Sequence, residues 1–401
     1  MRVRIEPSSA VGSVFAPPSK SIAHRALICA ALSREASIDN IAYSKDISAT
    51  MDCLLKMGAQ IEQENSSVKI GGLDPFCIPE GCELYCNESG STLRFFLPLC
   101  MLSGTKITLK GSERLFERPL TVYEDICKEK NILFEKNRDS VTVCGKLTGG
   151  KYSVPGNISS QFITGLLLAL PLVEGDSILT VTGKFESASY IDLTLSAMHK
   201  FGVVITRDGN SFYVKGGQSY ISTEYAIEGD CSNAAFLEAF NLLGGAVKVL
   251  GLEKDTLQGD RVYKEMFENL RNGIRKFELS DCPDLAPVMF AMAAYHGGAE
   301  FGGTARLRIK ESDRAAAMAE ELAKFGILVE VFDDSVIVHK GKLHVPQDIL
   351  YGHNDHRIVM ALSLLCSVTG GDIEDAQAIE KSFPDFFERI SELGIKIEKY
   401  G

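Results

Sequence analysis

Hydrophobic and polar positions along this chain fall into a repeating order. A short stretch of alternating apolar residues leads into a polar loop, and the loop leads into a run with apolar residues at helical spacing. Strand-like alternation is clearest at Ser67–Ile70 and Ser335–Val338, both bounded by turn residues. Helical spacing is clearest at Ala315–Phe325. The loops that open the apolar helices are Pro17–Ser21, Asn87–Ser91, Ile158–Gln161, Glu228–Ser232, Cys282–Asp284 and His353–Arg357. With Lys20, Gly90, Ser160, Asp230, Asp284 and Asp355 as markers, successive intervals are 70, 70, 70, 54 and 71 residues.

A turn and a strand follow each of these helices. A second helix then ends in Gly or Asn, and a hairpin follows. The pattern predicts six copies of a strand–helix–strand–helix–hairpin unit, roughly 67 residues each. The fourth copy is cut short near Arg271–Leu279, which accounts for the interval of 54. The sixth stops at the C-terminus, and the strand at Val3–Ile5 is expected to complete it. Three copies and three copies make an α/β fold of two similar lobes. One lobe is expected at residues 1–17 with 229–401, the other at residues 18–228.

Composition narrows the function. The chain has 401 residues, 45% hydrophobic and 24% charged, ordinary values for a protein with sizeable cores. Its 42 Lys and Arg stand against 53 Asp and Glu, a net charge of −11, so no nucleic-acid partner is expected. The longest nearly apolar run, Gly165–Val173, is about half a bilayer span, so no membrane partner is expected either. Met1–Pro7 has charges and no apolar core of the secretory type. The eleven Cys are scattered without a Cys-x-x-Cys pair, as reduced thiols of a cytoplasmic protein would be.

A helix start carries unpaired N–H groups and the positive end of a dipole, so each opening loop is an N-cap and a candidate anion site. Residues shared among copies serve the scaffold. Polar residues peculiar to one copy are candidates for chemistry. These are Lys20 and Arg25, then Arg94 and Arg118, then Gln161, then Asp284 with Lys310, Glu311 and Arg314, and last His356, Arg357 and Lys381. Cations gathered at equivalent places in an acidic chain point to anionic ligands. The chain lacks the phosphate loop of nucleotide hydrolases, the Gly-x-Ser-x-Gly elbow and the dinucleotide fingerprint. His353, Asp355 and His356 lack a clear further ligand, so no metal and no cofactor are expected.

These residues stand in motifs that resemble the 5-enolpyruvylshikimate-3-phosphate synthases, members of the enolpyruvyl transferase family. The likeness spans the chain: PPSKSIAHRALICAAL, FERPL, GNISSQFITGLL, YIDLTL, EGDCSNAAFLEA, RLRIKESDR, NDHRIVMALSLL and KSFPDFFERI occur in order. It implies two lobes, each of three βαβαββ units about a pseudo-threefold axis, an inside-out α/β barrel. It also implies transfer of the carboxyvinyl group of phosphoenolpyruvate to the 5-hydroxyl of shikimate 3-phosphate, with loss of phosphate, by a monomer whose lobes close on substrate.

Carried over by motif, the resemblance implies that Lys20, Gly90, Arg118, Gln161, Arg314, His356, Arg357 and Lys381 hold phosphoenolpyruvate. It implies that Lys20, Ser21, Arg25, Ser159, Ser160, Gln161, Ser187, Tyr190, Asp284 and Lys310 hold shikimate 3-phosphate. Asp284 is then the base for the 5-hydroxyl, ionised because Lys310 and Lys20 are expected beside it. Glu311 and Lys20 are the candidates for proton traffic at the methylene carbon. One departure stands out: Glu88-Ser89-Gly90-Ser91 replaces the Asn-Ala-Gly-Thr of many members, putting a carboxylate beside an expected phosphate site.

Two rivals are separable. The sister enzyme acting on UDP-N-acetylglucosamine typically has a reactive Cys in a loop of the second repeat, and Gly111–Pro119 here has none. A non-enzymatic, clamp-like ring would need a basic inner helix face, whereas these cations sit at helix starts.

Overall fold

The computed structural model describes residues 1–401. Contacts divide the chain into two compact units, Met1–Pro17 with Gly229–Gly401 and Pro18–Glu228. No helix is long and apolar enough to cross a membrane.

The unit Pro18–Glu228 carries three four-stranded sheets of one design. In the second of them Cys82–Tyr85 runs parallel to Ile107–Lys110, which pairs antiparallel with Ser140–Cys144, itself paired with Leu133–Lys136. The third sheet repeats this order with Gly150–Pro155, Ser177–Thr182, Ser211–Val214 and Ile205–Asp208. The first has Ala36–Asp39, Ser67–Gly71 and Gln60–Glu64, but its opening strand comes from the far end of the unit, Glu224–Ala226. The helices Lys20–Ala31, Gly90–Cys100 and Ser160–Ala169 are buried on nearly every face. Beyond their first two turns their sequences are apolar all round, which suits a helix walled in on every side. Gly165 is needed there: a Cβ would strike the Arg94 carbonyl and the Tyr123 hydroxyl.

The other unit follows the same plan with one loss. Lys276–Glu278, Ala299–Gly302, Ser335–Val338 and Val329–Val331 form one full sheet. Leu350–Tyr351, Gly371–Glu374, Arg2–Glu6 and Lys396–Tyr400 form another, so the N-terminal strand does complete the sixth copy. The fourth copy has only Ala246–Leu250 parallel to Val11–Phe15. Its hairpin is missing, in keeping with the shortened interval. The carboxamide of Asn241 stands in for it, accepting the Val247 N–H at 2.6 Å and donating to the Val247 carbonyl at 2.8 Å.

The opening loops are true caps at four of the six helix starts. Ser89, Ser159, Asp230 and Asp355 accept backbone N–H groups of the turn they precede. Ser19 makes no such bond. Ahead of Ala286–His296 a 3₁₀ turn, Pro283–Leu285, replaces the cap, with Pro283 and Pro287 placed where a helix start tolerates them.

Candidate active site

In the unit containing the C-terminus, the cluster is built around one carboxylate. Asp284 sits in the 3₁₀ turn just before its helix. Arg314 Nη1 donates to its Oδ1 at 2.7 Å, Lys310 Nζ to the same oxygen at 3.2 Å, and Arg357 Nη2 to Oδ2 at 3.2 Å. Burial alone would raise the Asp284 carboxyl, but Arg357, then Lys310 and Arg314, hold it well below the usual carboxylate range. In the unit Pro18–Glu228, the Lys20 ammonium is 2.8 Å from Asp46.

Arg314 opens the helix Arg314–Lys324, and its guanidinium is used on three sides. It meets Asp284, Glu311 at 2.8 Å, and Asp355 at 2.8 Å. Asp355 is fully buried and holds three things at once: Arg314, the Ser312 hydroxyl at 3.1 Å, and the Arg357 N–H at 3.0 Å. The chain turns into the helix His356–Thr369, which Asp355 caps, through His353 and Asn354, both left-handed at φ 50°. That conformation is uncommon for His and marks a constrained loop. Lys381 Nζ donates to the Asn354 carbonyl at 2.5 Å, and His356 is buried as the first residue of its helix. Beneath the cluster lies a second carboxylate, Asp260, bonded to the Ser232 hydroxyl. Burial and the charge of Asp284 push its carboxyl up to about 7.

In the unit Pro18–Glu228, three helix starts are stitched by side chains. Gln161 Nε2 donates to Ser91 Oγ at 3.0 Å and its Oε1 accepts Arg94 Nη1 at 3.0 Å. Arg118 lies over Gly90: a Cβ there would come within 2.7 Å of its guanidinium. Gly90 therefore leaves room for a cation against the helix start. Arg25 is buried, and burial lowers its pKa to about 10. Its fork reaches Thr194 at 2.8 Å, the Ser21 carbonyl at 2.6 Å and the Tyr190 carbonyl at 3.1 Å, with Phe95 beneath it. Ser159 caps the helix that Ser160 begins. Ser187 is left-handed at φ 56° ahead of the helix carrying Tyr190.

The expected residues therefore gather in two clusters, one per unit. Asp284, Lys310, Glu311, Arg314 and Arg357 are in direct contact, with His356 and Lys381 in the adjoining loops. Gly90 with Arg118, Gln161 with Ser91, and Arg25 with Ser21 and Tyr190 form the other group. Sequence reasoning missed Asp46, Thr164, Thr194 and the central role of Asp355, which had served as a helix marker and been weighed as a metal ligand. Their partners lie on other helices, so spacing held no signal for them.

Glu320, Glu321 and His353 are close enough to share a cation. Glu321 already carries Lys324 Nζ at 2.8 Å and His353 Nε2 at 3.0 Å, so its charge is spent within the protein.

Residues 5–390 match the family model described as EPSP synthase (3-phosphoshikimate 1-carboxyvinyltransferase). A 3-phosphoshikimate 1-carboxyvinyltransferase of Clostridium kluyveri is 41% identical, covering 99% of this chain and 98% of its own length. One from Clostridium acetobutylicum is 38% identical over the same shares. Among solved structures, an EPSP synthase from Acinetobacter baumannii superposes with a TM-score of 0.80 at 23% identity, covering 99% of both chains. The enolpyruvyl transferase NikO from Streptomyces tendae gives 0.77 at 15% identity, covering 99% of this chain and 98% of that one. At such identities the solved structures speak for the fold, an enolpyruvyl transferase α/β architecture.

Proposed function

The chain belongs to the EPSP synthase family, and on that footing we propose how its own residues carry out the family's reaction. The reaction moves the carboxyvinyl group of phosphoenolpyruvate to the 5-hydroxyl of shikimate 3-phosphate and releases phosphate, a step of aromatic amino-acid biosynthesis. The observation that best supports the assignment of roles is the single carboxylate of Asp284 held by three cations.

Both substrates are anionic. Arg314 and Arg357 offer planar forks suited to a carboxylate or a phosphate. Arg118 and Gln161 at the Gly90 helix start, with His356 and Lys381, complete the set for phosphoenolpyruvate. Arg25, Ser21, Ser159, Ser160, Ser187, Tyr190 and Lys310 serve shikimate 3-phosphate. A carboxylate braced by three cations is a weak base. Anionic substrate draws Arg314 and Arg357 away from Asp284 in part, and its basicity rises when the 5-hydroxyl is present.

The steps then balance. A proton is delivered to the methylene carbon of phosphoenolpyruvate, with Lys20 and Glu311 as the donors available. The 5-oxygen attacks C2 while Asp284 takes its proton. The tetrahedral adduct loses a methyl proton and phosphate, restoring the double bond. Positioning and charge stabilisation supply most of the acceleration, because two repelling reactants must be gathered.

We also assign the units 1–17 with 229–401 and 18–228 as the two functional lobes of a monomer acting in the cytoplasm. All eleven cysteines are free thiols, which suits a reducing compartment. Equilibrium sedimentation at a single chain mass supports the monomer, and a dimer mass overturns it. The reaction is tested by phosphate release with both substrates, with each alone, and with Asp284→Asn. Release requiring both, and nearly lost in the variant, is the expected result. Release from phosphoenolpyruvate alone, or full activity in Asp284→Asn, refutes the assignment.

A further inference from the structure

One imidazole and three hydroxyls run in a line under the first turn of the helix Gly90–Cys100. His24 Nδ1 is 2.7 Å from Thr50 Oγ1. Thr50 Oγ1 is 2.7 Å from Thr92 Oγ1, and Thr92 Oγ1 donates to Ser89 Oγ at 2.7 Å. Ser89 also accepts the Thr92 N–H at 3.1 Å. All four side chains are at most 1% exposed. They come from the helix Lys20–Ala31, the helix Lys45–Met57 and the start of Gly90–Cys100.

Each hydroxyl has one proton, and that sets the direction of the line. The Thr92 proton goes to Ser89. The contact between Thr92 and Thr50 then requires the Thr50 proton. Thr50 has none left for His24, so the third contact requires a proton on Nδ1. With the other tautomer, one of these 2.7 Å contacts would hold no proton, a lone pair facing a lone pair in a buried site. The assignment that satisfies every contact has His24 neutral, with Nδ1–H donating and Nε2 bare. His24 Nε2 is buried without a hydrogen-bond partner, and the ring lies edge-on to Phe95 at 6.4 Å. Burial, with the charges of Lys20 and Arg25, keeps the imidazole well below its ordinary pKa.

Ser89 accepts twice, so its own proton is the one donor directed beyond the line. Hydrogen bonds aligned in one sense strengthen each other. We infer that His24 is a positioning residue: through Thr50 and Thr92 it aims the Ser89 hydroxyl proton at an anionic oxygen bound at the Gly90 helix start. This rests on the proposed binding of phosphoenolpyruvate at Gly90 and Arg118.

Two measurements test it. In protein labelled with ¹⁵N-histidine, long-range ¹H–¹⁵N correlation reads the tautomer of each ring, and the His24 signals are those missing from His24→Asn. Protonated Nδ1 and bare Nε2 are expected; a proton on Nε2 overturns the chain. In kinetics, Asn keeps an N–H near the position of Nδ1, and Leu removes it. His24→Leu should raise KM for phosphoenolpyruvate by about tenfold, the scale of one hydrogen bond to a charged group. KM for shikimate 3-phosphate should stay within about twofold, and His24→Asn should restore most of the loss. Equal behaviour of Leu and Asn, or a parallel rise in both KM values, overturns the inference. Should His24→Leu fail to fold, Thr50→Val against Thr50→Ser asks the same question with packing preserved. A wild-type protein that releases no phosphate defeats the proposed function, while the tautomer still judges the hydrogen-bond line by itself.

Discussion

Arg314 Nη1 lies 2.7 Å from Asp284 Oδ1, and the arginine side chain is only 1% exposed. The same guanidinium serves Glu311 and Asp355, so one planar cation fixes the proposed base, a proton-traffic candidate and a helix cap together. A lysine has one point of charge and no fork. Arg314→Lys should therefore lower kcat/KM for phosphate release at least about tenfold and also lower Tm, because the buried Asp355 loses its Nε partner. Wild-type kcat/KM and Tm in this variant would show that the fork carries no function.

Two carboxylates of this cluster, Asp284 and Asp260, respond to pH in opposite senses. An unfolded Asp titrates near about 3.9. Asp284 is held below that in the folded protein, so its contribution is full above about pH 4 and is lost as pH falls further. Asp260 is held up at about 7, so the folded state keeps a proton that the unfolded chain gives up. Its contribution is therefore lost as pH rises from about 4 to about 7. Asn keeps an acceptor for Ser232 and cannot ionise. Asp260→Asn should raise the denaturation midpoint relative to wild type by clearly more at pH 8 than at pH 5, where only part of the contribution has been lost. A larger effect at pH 5 than at pH 8 would contradict the sign.

Much of this architecture is legible in sequence because helix caps and glycine turns recur with the repeat. Ser89, Ser159, Asp230 and Asp355 mark helix starts wherever they stand, since capping is local chemistry. The pairing of Val11–Phe15 with Ala246–Leu250 is not legible, nor is that of Glu224–Ala226 with Ala36–Asp39. Both join strands far apart in the chain, and no local pattern encodes the partner. The site divides the same way. Asp284, Lys310, Arg314 and Arg357 are conspicuous as polar residues peculiar to one copy. Asp46 as the partner of Lys20, and the Thr164–Thr194 support of Arg25, depend on which helices meet.

Gly90 stands where the backbone needs no left-handed conformation, so alanine is compatible with its place in the helix. What the methyl meets is the far end of the Arg118 side chain, at 2.7–2.9 Å, so a guanidinium and not backbone must shift. Alanine favours helix by about 1 kcal/mol over glycine. Gly90→Ala should keep or raise Tm while raising KM for phosphoenolpyruvate several-fold, with KM for shikimate 3-phosphate little changed. A lower Tm with both KM values intact would place the role of Gly90 in folding instead.

Asn241 offers a prediction on stability alone. The strand Ala246–Leu250 turns its Ala246 N–H and Leu250 carbonyl toward the N-terminal segment, to Ala10 and Ala16. Val247 therefore presents its N–H and carbonyl to the opposite edge, where the other copies have a hairpin. Asn241 meets both with a side-chain amide that has the same donor and acceptor as a backbone. Leucine has a similar volume and neither group. Asn241→Leu should cost about 1–3 kcal/mol, the scale of a polar group left unsatisfied, seen as a lower urea midpoint at unchanged slope. It also uncovers a strand edge open to pairing with a second chain. Sedimentation of the variant on warming should show association that wild type lacks, while kcat stays at the wild-type value because Asn241 touches no residue of either cluster. An unchanged urea midpoint would mean that solvent satisfies this edge as well as the carboxamide does.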